Sequence, residues 1–142
     1  MTIVRMIVAS LPATLRSVSL GPRLAEGNYP LTACRANLTP GEPVFAFHPF
    51  GVYLLAGTFR VVPNDEIGKV LIYAARTGVR YLLWGHTPAE ETERKFYLFA
   101  PWAHDESAFP AAAGATTVCH SADGMATLYR LTSQSGGLQG GR

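Results

Sequence analysis

The stretch from residue 42 to residue 85 constrains the fold most, because strand patterns and helix patterns alternate along it. Short apolar runs at 44–47, 59–62 and 79–84 have the length and composition of buried strands. Helical segments separate these runs, and a strand, helix, strand unit places its two strands parallel in one sheet. The stretch therefore predicts an α/β fold, in the form of a small three-layer Rossmann-like half with a short parallel sheet.

Residues 65–77 give the clearest helical pattern of the chain. Asn64 is the predicted N-cap, and Gly78 suits the left-handed position that follows a helix end. A shorter helix is predicted at 49–56, closed by Gly57. The apolar residues that share one face of the longer helix are Ile67, Val70, Leu71, Ala74 and Ala75.

The domain organisation follows from where this pattern begins and ends. Residues 1–41 are rich in turn-forming residues and predict an irregular N-terminal arm, with one short helix at 31–37. Residues 42–132 form the single α/β domain. Residues 133–142 are Gly-rich and predict a disordered tail.

The C-terminal part of the domain predicts a closing antiparallel hairpin. Strand-like runs at 115–120 and 125–131 flank an Asp123-Gly124 pair, which is a strong turn signal. Residues 90–95 predict a polar turn or helix start that faces solvent. The aromatic stretch at 96–102 fits no periodic pattern.

Composition and charge exclude some functions. Hydrophobic residues make up 48% of the chain and charged residues 15%, so we expect part of the surface to meet another polypeptide or a membrane. No window has the roughly twenty apolar residues that span a bilayer, so we expect the isolated chain to be soluble. The net charge of +2 arises without a basic run, which argues against nucleic-acid binding.

The residues that usually carry catalysis or metal binding form no recognisable motif. Cys34 and Cys119 lie far apart, so they either form one disulfide or remain inert buried thiols, and inert thiols are the simpler interpretation. The histidines lack metal-ligand spacing, and nucleophile-elbow, Walker A and dinucleotide-binding motifs are missing. We therefore expect no metal, no cofactor and no catalytic residue in this chain.

Four polar residues are candidates for ligand binding, because they follow the predicted strands. Ligands of open α/β sheets bind at the carboxyl ends of the strands. A small polar crevice is predicted there. The alternative is that these residues are helix caps and loop residues without a ligand. The candidates are His48, Asn64, Asp65 and His86.

The order of four segments resembles the soluble C-terminal domain of bacterial GT-C-type membrane glycosyltransferases, which are related to the dolichyl-phosphate-mannose protein mannosyltransferases. The resemblance covers about residues 30–131, and its most specific part is the helix followed by the letters TGVRYLLW. The segments are Thr39-Pro40-Gly41-Glu42-Pro43-Val44, His48-Pro49 with Tyr53 and Gly57, Val62-Pro63-Asn64-Asp65, and Gly78-Val79-Arg80-Tyr81-Leu82-Leu83.

The resemblance implies a non-catalytic accessory domain on the extracytoplasmic face of the plasma membrane. In such enzymes the catalytic acidic residues belong to loops of the membrane portion, so no catalytic residue carries over. The implied partner is a membrane-embedded glycosyltransferase segment or subunit, which binds the lipid-linked sugar donor elsewhere. The alternatives are an autonomous small-molecule-binding α/β module that uses the four candidate residues, and a small enzyme in which a histidine or cysteine has a charged partner.

Overall fold

The computed structural model describes residues 31–132, which fold around one five-stranded sheet. The helix predicted at 31–37 is present as α1 (Thr32–Arg35). The rest of the predicted arm up to residue 30, and the predicted tail at 133–142, lie outside the described residues.

The strands of the sheet run in the spatial order β2-β1-β3-β5-β4. β1 is parallel to β2 and β3, whereas β5 is antiparallel to β3 and β4. The predicted α/β fold, its short parallel sheet and its C-terminal antiparallel hairpin are therefore confirmed. The strands are β1 (Pro43–Ala46), β2 (Thr58–Val61), β3 (Tyr81–Gly85), β4 (Thr116–His120) and β5 (Ala126–Arg130).

Two hydrophobic cores cover the two faces of this sheet. Alternate residues of a strand point to opposite faces, so Phe45 belongs to one core and its neighbour Val44 to the other. The Phe45 side also contains residues of α3 and α5, whereas the Val44 side contains residues of α1 and α2, which gives three layers. The remaining helices are α2 (Pro49–Leu54), α3 (Ile67–Thr77), α4 (Pro88–Arg94), a 3₁₀-helix (Pro101–His104) and α5 (Phe109–Ala113).

The start of α3 differs from the prediction, although its end agrees. The helix begins at Ile67 rather than at residue 65, and Glu66 is its N-cap without a side-chain capping bond. The Asp65 backbone N–H donates to Pro63 O, so a tight turn precedes the helix. The predicted cap Asn64 is bonded to a loop elsewhere. At the other end Gly78 has the predicted left-handed conformation, with φ of +75°.

The predicted role of Gly57 is wrong. α2 ends at Leu54, and Ala56, with φ of +60°, is the residue that takes the left-handed conformation. A side chain at Gly57 would place its Cβ 3.0 Å from the backbone oxygen of Glu42. Gly57 is therefore suited to a close backbone approach where β2 begins beside β1.

The helix start predicted at 90–95 is present in α4, which begins at Pro88, but the predicted exposure to solvent is wrong for Glu90 and Arg94, which are buried. Thr87 and Glu90 form a capping box at its start, and Pro88 occupies its first position. The Arg94 guanidinium donates to Gly85 O at 2.7 Å and lies over the Trp84 ring. Through these contacts, Arg94 packs α4 against the end of β3.

A disulfide joins Cys34 of α1 to Cys119 of β4. The interpretation of these residues as inert thiols is therefore wrong. The bond closes a loop over a sequence separation of 85 residues, for which a chain-entropy argument gives about 4 kcal/mol of stabilisation. Such bonds persist in oxidising compartments.

Candidate functional site

The carboxyl end of β3 lies where the strand order of the parallel part reverses. The chain leaves β1 for β2 at the sheet edge and then crosses back to β3 on the other side of β1. Loops diverge at such a switch point and leave a crevice in many α/β proteins. His86 follows β3 directly and occupies this position.

His86 contacts two carboxylates from different parts of the chain. Its Nδ1 lies 3.0 Å from Glu91 Oε2 on α4, and its Nε2 lies 2.6 Å from Glu106 Oε1 in the loop before α5. An imidazolium has an N–H at both nitrogens, so it donates to both carboxylates at once. His86 therefore ties α4 and this loop to the end of β3.

Further charged and polar groups extend the His86 cluster. The Tyr129 hydroxyl donates to Glu106 Oε2 at 2.7 Å, and Arg94 pairs with Glu91 Oε2 at 2.9 Å. The hydrogen bond from His86, followed by the charge of Arg94, lowers the pKa of Glu91. Burial, with the neighbouring Glu106 carboxylate, raises the pKa of Tyr129 and keeps its hydroxyl protonated as a donor. The cluster is thus satisfied largely by its own members.

This arrangement limits what His86 can do chemically. A general base needs a free nitrogen, whereas both nitrogens of His86 face carboxylates. The accessible polar edge of the cluster is Glu91, which is half exposed. Across residues 31–132 there is no group of three or more His, Cys, Asp and Glu side chains suited to a metal ion.

The other three candidate residues have partners of their own. His48 caps α2, where its Nδ1 accepts a hydrogen bond from the Phe50 backbone N–H at 3.3 Å. Asp65 accepts from the Glu66 backbone N–H at 2.8 Å and lies 3.9 Å from Lys69 Nζ. Within the described part of the chain, no hydrogen bond joins any two of the four candidates, and the predicted crevice stays a prediction.

Asp65 also lines an open groove between the end of β2 and α3. The groove has a volume of about 370 Å³. Its walls are mainly apolar, and its two charged lining residues are Asp65 and Lys69. The lining residues are Val61, Pro63, Asp65, Lys69 and Tyr73.

Residues 96–99, the apolar loop, display hydrophobic side chains to solvent beside this region. Phe96 is 69% exposed, Leu98 75% and Phe99 68%. Tyr97 points inward, and its hydroxyl donates to Val62 O at 2.7 Å. Burial raises the pKa of Tyr97 to about 12, so the hydroxyl stays protonated as a donor.

Asn64 braces the apolar loop from the end of the β2 segment. Its Oδ1 accepts from the Phe99 backbone N–H at 2.9 Å, and its Nδ2 donates to Phe96 O at 3.3 Å. The His104 ring adds a contact of 2.9 Å between its Nε2 and Tyr97 O. The apolar loop is therefore held in place at both of its ends and at its centre.

The sequence does not reveal that residues 96–99 form an exposed apolar loop. Its signal is a run of four apolar residues, Phe-Tyr-Leu-Phe, between Lys95 and Ala100. Such a run predicts a buried strand as readily as an exposed loop. Only the inward contact of Tyr97 and the bonds to Asn64 show which side chains remain outside.

The fold and these contacts define an α/β domain with a disulfide, a charged cluster at the switch point and a braced apolar loop. Comparison with protein-family models, with curated proteins and with solved structures finds no match. Among the described helices, none combines the length and the apolar character that crossing a bilayer requires.

Proposed function

We propose that this chain is a non-catalytic interaction domain, accessory to a membrane-embedded glycosyltransferase that uses a lipid-linked sugar donor. The observation that carries the proposal is the apolar loop. Its three outward side chains, Phe96, Leu98 and Phe99, are each about two thirds or more exposed. Contiguous exposed hydrophobic side chains on an ordered segment mark contact surfaces.

The disulfide supports the extracytoplasmic location in this proposal. Cys34 is fully buried, and its bond to Cys119 links the first described helix to the edge strand β4. A protein that depends on such a bond needs an oxidising compartment. The resemblance to the soluble domain of GT-C-type enzymes leads to the same side of the membrane.

The His86 cluster supports a domain without a catalytic residue of its own. Its imidazole is occupied on both nitrogens, and Glu106 is occupied by His86 and Tyr129. A substrate would have to displace one of these contacts before it reached a nitrogen of His86. The cluster thus connects α4 and the loop before α5 to the end of β3.

Photocrosslinking from the apolar loop tests the proposal. A benzophenone amino acid replaces Leu98, and the chain is produced in its source cells with export across the membrane. We expect the crosslinked product to contain a polytopic membrane glycosyltransferase, identified by mass spectrometry. The matched control is Tyr53, which is equally exposed at 75% but lies on α2, with the opposite layer of the sheet.

Two outcomes of this experiment contradict the proposal. One is an equal yield of the same product from positions 98 and 53, which would show that the apolar loop has no special contact. The other is a product from position 98 that contains no membrane glycosyltransferase. Either result would leave the accessory function without support.

A second candidate is an autonomous small-molecule-binding module, favoured by the position of His86 at the switch point. Glu91 is the exposed edge of its cluster and offers a carboxylate to a polar ligand. Nuclear magnetic resonance with a library of small polar molecules tests this candidate. We would expect shifted amide signals around His86 and Glu91, and scattered or absent shifts would reject it.

A further inference from the structure

We propose that the apolar loop inserts into the interfacial region of a lipid bilayer. The inference deepens the proposed function, since it names the lipid surface as the contact of the interaction domain. It rests on the backbone bonds, the exposure and the local charge of residues 96–99, and its test needs no glycosyltransferase.

The backbone N–H groups of the apolar loop all have partners within the protein. A backbone N–H that enters a bilayer must keep a partner within the protein, because lipid chains offer none. All four N–H groups of the loop have such a partner, at distances from 2.9 to 3.1 Å. The acceptors are Glu93 O for Phe96, Arg94 O for Tyr97, Phe96 O for Leu98 and Asn64 Oδ1 for Phe99.

The exposure of the side chains suits insertion into a bilayer, beside which a membrane-embedded partner also lies within reach of the loop. Side chains that are 68–75% exposed stand out from the surface rather than lining a depression. Protein interfaces pack their anchors into pockets, whereas a projecting Phe or Leu enters lipid without a matching pocket. Aromatic rings are also enriched at the boundary between headgroups and acyl chains.

The charges beside the loop predict how the contact depends on lipid composition. Lys95 and Glu93 are both exposed next to it, so their opposite charges offset each other. A polybasic contact would favour anionic lipids and would weaken in salt. We therefore expect insertion to depend on the apolar side chains and to differ little between zwitterionic and anionic vesicles.

Tryptophan fluorescence measures insertion directly. Both tryptophans of the chain, Trp84 and Trp102, are buried and give a constant background. Leu98→Trp adds an exposed indole, and we expect its emission to shift to shorter wavelength when phosphatidylcholine vesicles are added. Brominated phosphatidylcholine should quench the added indole. Half-saturation is expected near millimolar lipid, because a few apolar side chains give only weak partitioning.

Variants separate the apolar loop from the rest of the surface. Phe96→Ser and Phe99→Ser, each made in the Leu98→Trp chain, should each lower the partition coefficient about tenfold, since each removes roughly one buried hydrophobic side chain. Tyr53→Trp is the matched control and should show neither a spectral shift nor quenching. Far-ultraviolet circular dichroism checks that every variant folds.

Three results would overturn insertion of the apolar loop into the bilayer. These are an unchanged Leu98→Trp spectrum with vesicles, binding that requires anionic lipid and disappears in salt, and self-association through position 98 without lipid. Insertion without a glycosyltransferase crosslink would reject the proposed function and keep the lipid contact. A glycosyltransferase crosslink without insertion would do the reverse.

Discussion

Asn64 Oδ1 accepts a hydrogen bond of 2.9 Å from the backbone N–H of Phe99, across a sequence separation of 35 residues. The same side chain donates from Nδ2 to Phe96 O. One amide side chain therefore holds two positions of the apolar loop. The exposed hydrophobic residues therefore lie on a loop whose backbone is held by specific hydrogen bonds.

Asn64→Ala should loosen the apolar loop without unfolding the domain. We expect a loss of about 1–2 kcal/mol in the free energy of unfolding, because two hydrogen bonds disappear. Amide hydrogen exchange at Phe99 should become faster. Asn64→Asp keeps an acceptor for Phe99 and should have a smaller effect on that exchange. Asn37→Ala is an exposed control that removes a bond of 3.5 Å from Nδ2 to Ala33 O and should leave exchange at Phe99 unchanged. Equal exchange rates at Phe99 in all variants would contradict the bracing role.

Glu90→Gln should stabilise the protein increasingly as the pH rises from 4.5 to 7, and by a constant amount above pH 7. Burial raises the pKa of Glu90 from the usual 4.5 to about 7, so the folded state binds more protons than the unfolded chain between these values. Stability from this group is full below pH 4.5 and falls as the pH rises toward 7. At about 1.4 kcal/mol per pKa unit, the variant should gain about 3 kcal/mol at pH 8.

Thermal unfolding of wild type and Glu90→Gln at pH 5 and pH 8 checks this prediction. The exposed Glu93→Gln on the same helix is the control for a change in net charge. A constant difference between Glu90→Gln and wild type at both pH values would show that Glu90 does not titrate in this range.

His86→Ala should destabilise the domain at neutral pH. Without the imidazole, Glu91 and Glu106 lose a shared partner. We expect a loss of about 1–3 kcal/mol, typical of hydrogen bonds to charged groups. The lowered pKa of Glu91 means that its stabilising contact is present above its usual pKa and is lost as the pH falls.

Stability measured at acid pH distinguishes the loss of the His86–carboxylate contacts from a simple loss of packing. Urea unfolding from pH 3 to pH 7 should show a smaller gap between His86→Ala and wild type at the acid end. A gap that is the same at every pH would mean that the carboxylate contacts contribute nothing to it.

Reduction of the disulfide should lower stability by about 4 kcal/mol, since it frees a long loop in the unfolded chain. Urea unfolding with and without dithiothreitol measures the effect. The doubly substituted chain, with Cys34→Ser and Cys119→Ser, is the control and should be insensitive to the reductant. An unchanged midpoint for wild type under reducing conditions would argue against the stabilising role.

The parts of the fold that follow from local patterns were predictable from the sequence. Residues 65–77 have a helical apolar face, and Gly78 takes the predicted left-handed conformation with φ of +75°. The Asp123-Gly124 turn likewise predicts the hairpin of β4 and β5. In each case the residues that decide the structure lie within a few positions of one another.

The features that were not predicted depend on residues that lie far apart in the sequence. Asn is a residue type that favours helix N-caps, yet the hydrogen-bond partners of the Asn64 side chain are 32 and 35 residues away. Glu90 is 1% exposed, although the residues that follow it, Glu91, Thr92 and Glu93, are polar or charged. Nothing near Cys34 indicates that Cys119 lies beside it, because the pairing arises only when α1 packs against β4.

The capping box at Thr87 and Glu90 was a signal that the sequence did offer. It predicts a helix start, and α4 begins at the following residue. The pattern does not reveal the burial of this helix, since burial depends on Arg94 reaching Gly85 O and the Trp84 ring.

The most direct test of the apolar loop as a contact surface is the retention of the purified chain on membranes from its source cells. Wild type is compared with the chain that carries Phe96→Ser, Leu98→Ser and Phe99→Ser, after both are shown to be folded and disulfide-bonded. Retention should fall at least tenfold in the substituted chain and stay unchanged in Tyr53→Ser. Equal retention of wild type and the substituted chain would contradict the role of the apolar loop as a contact surface.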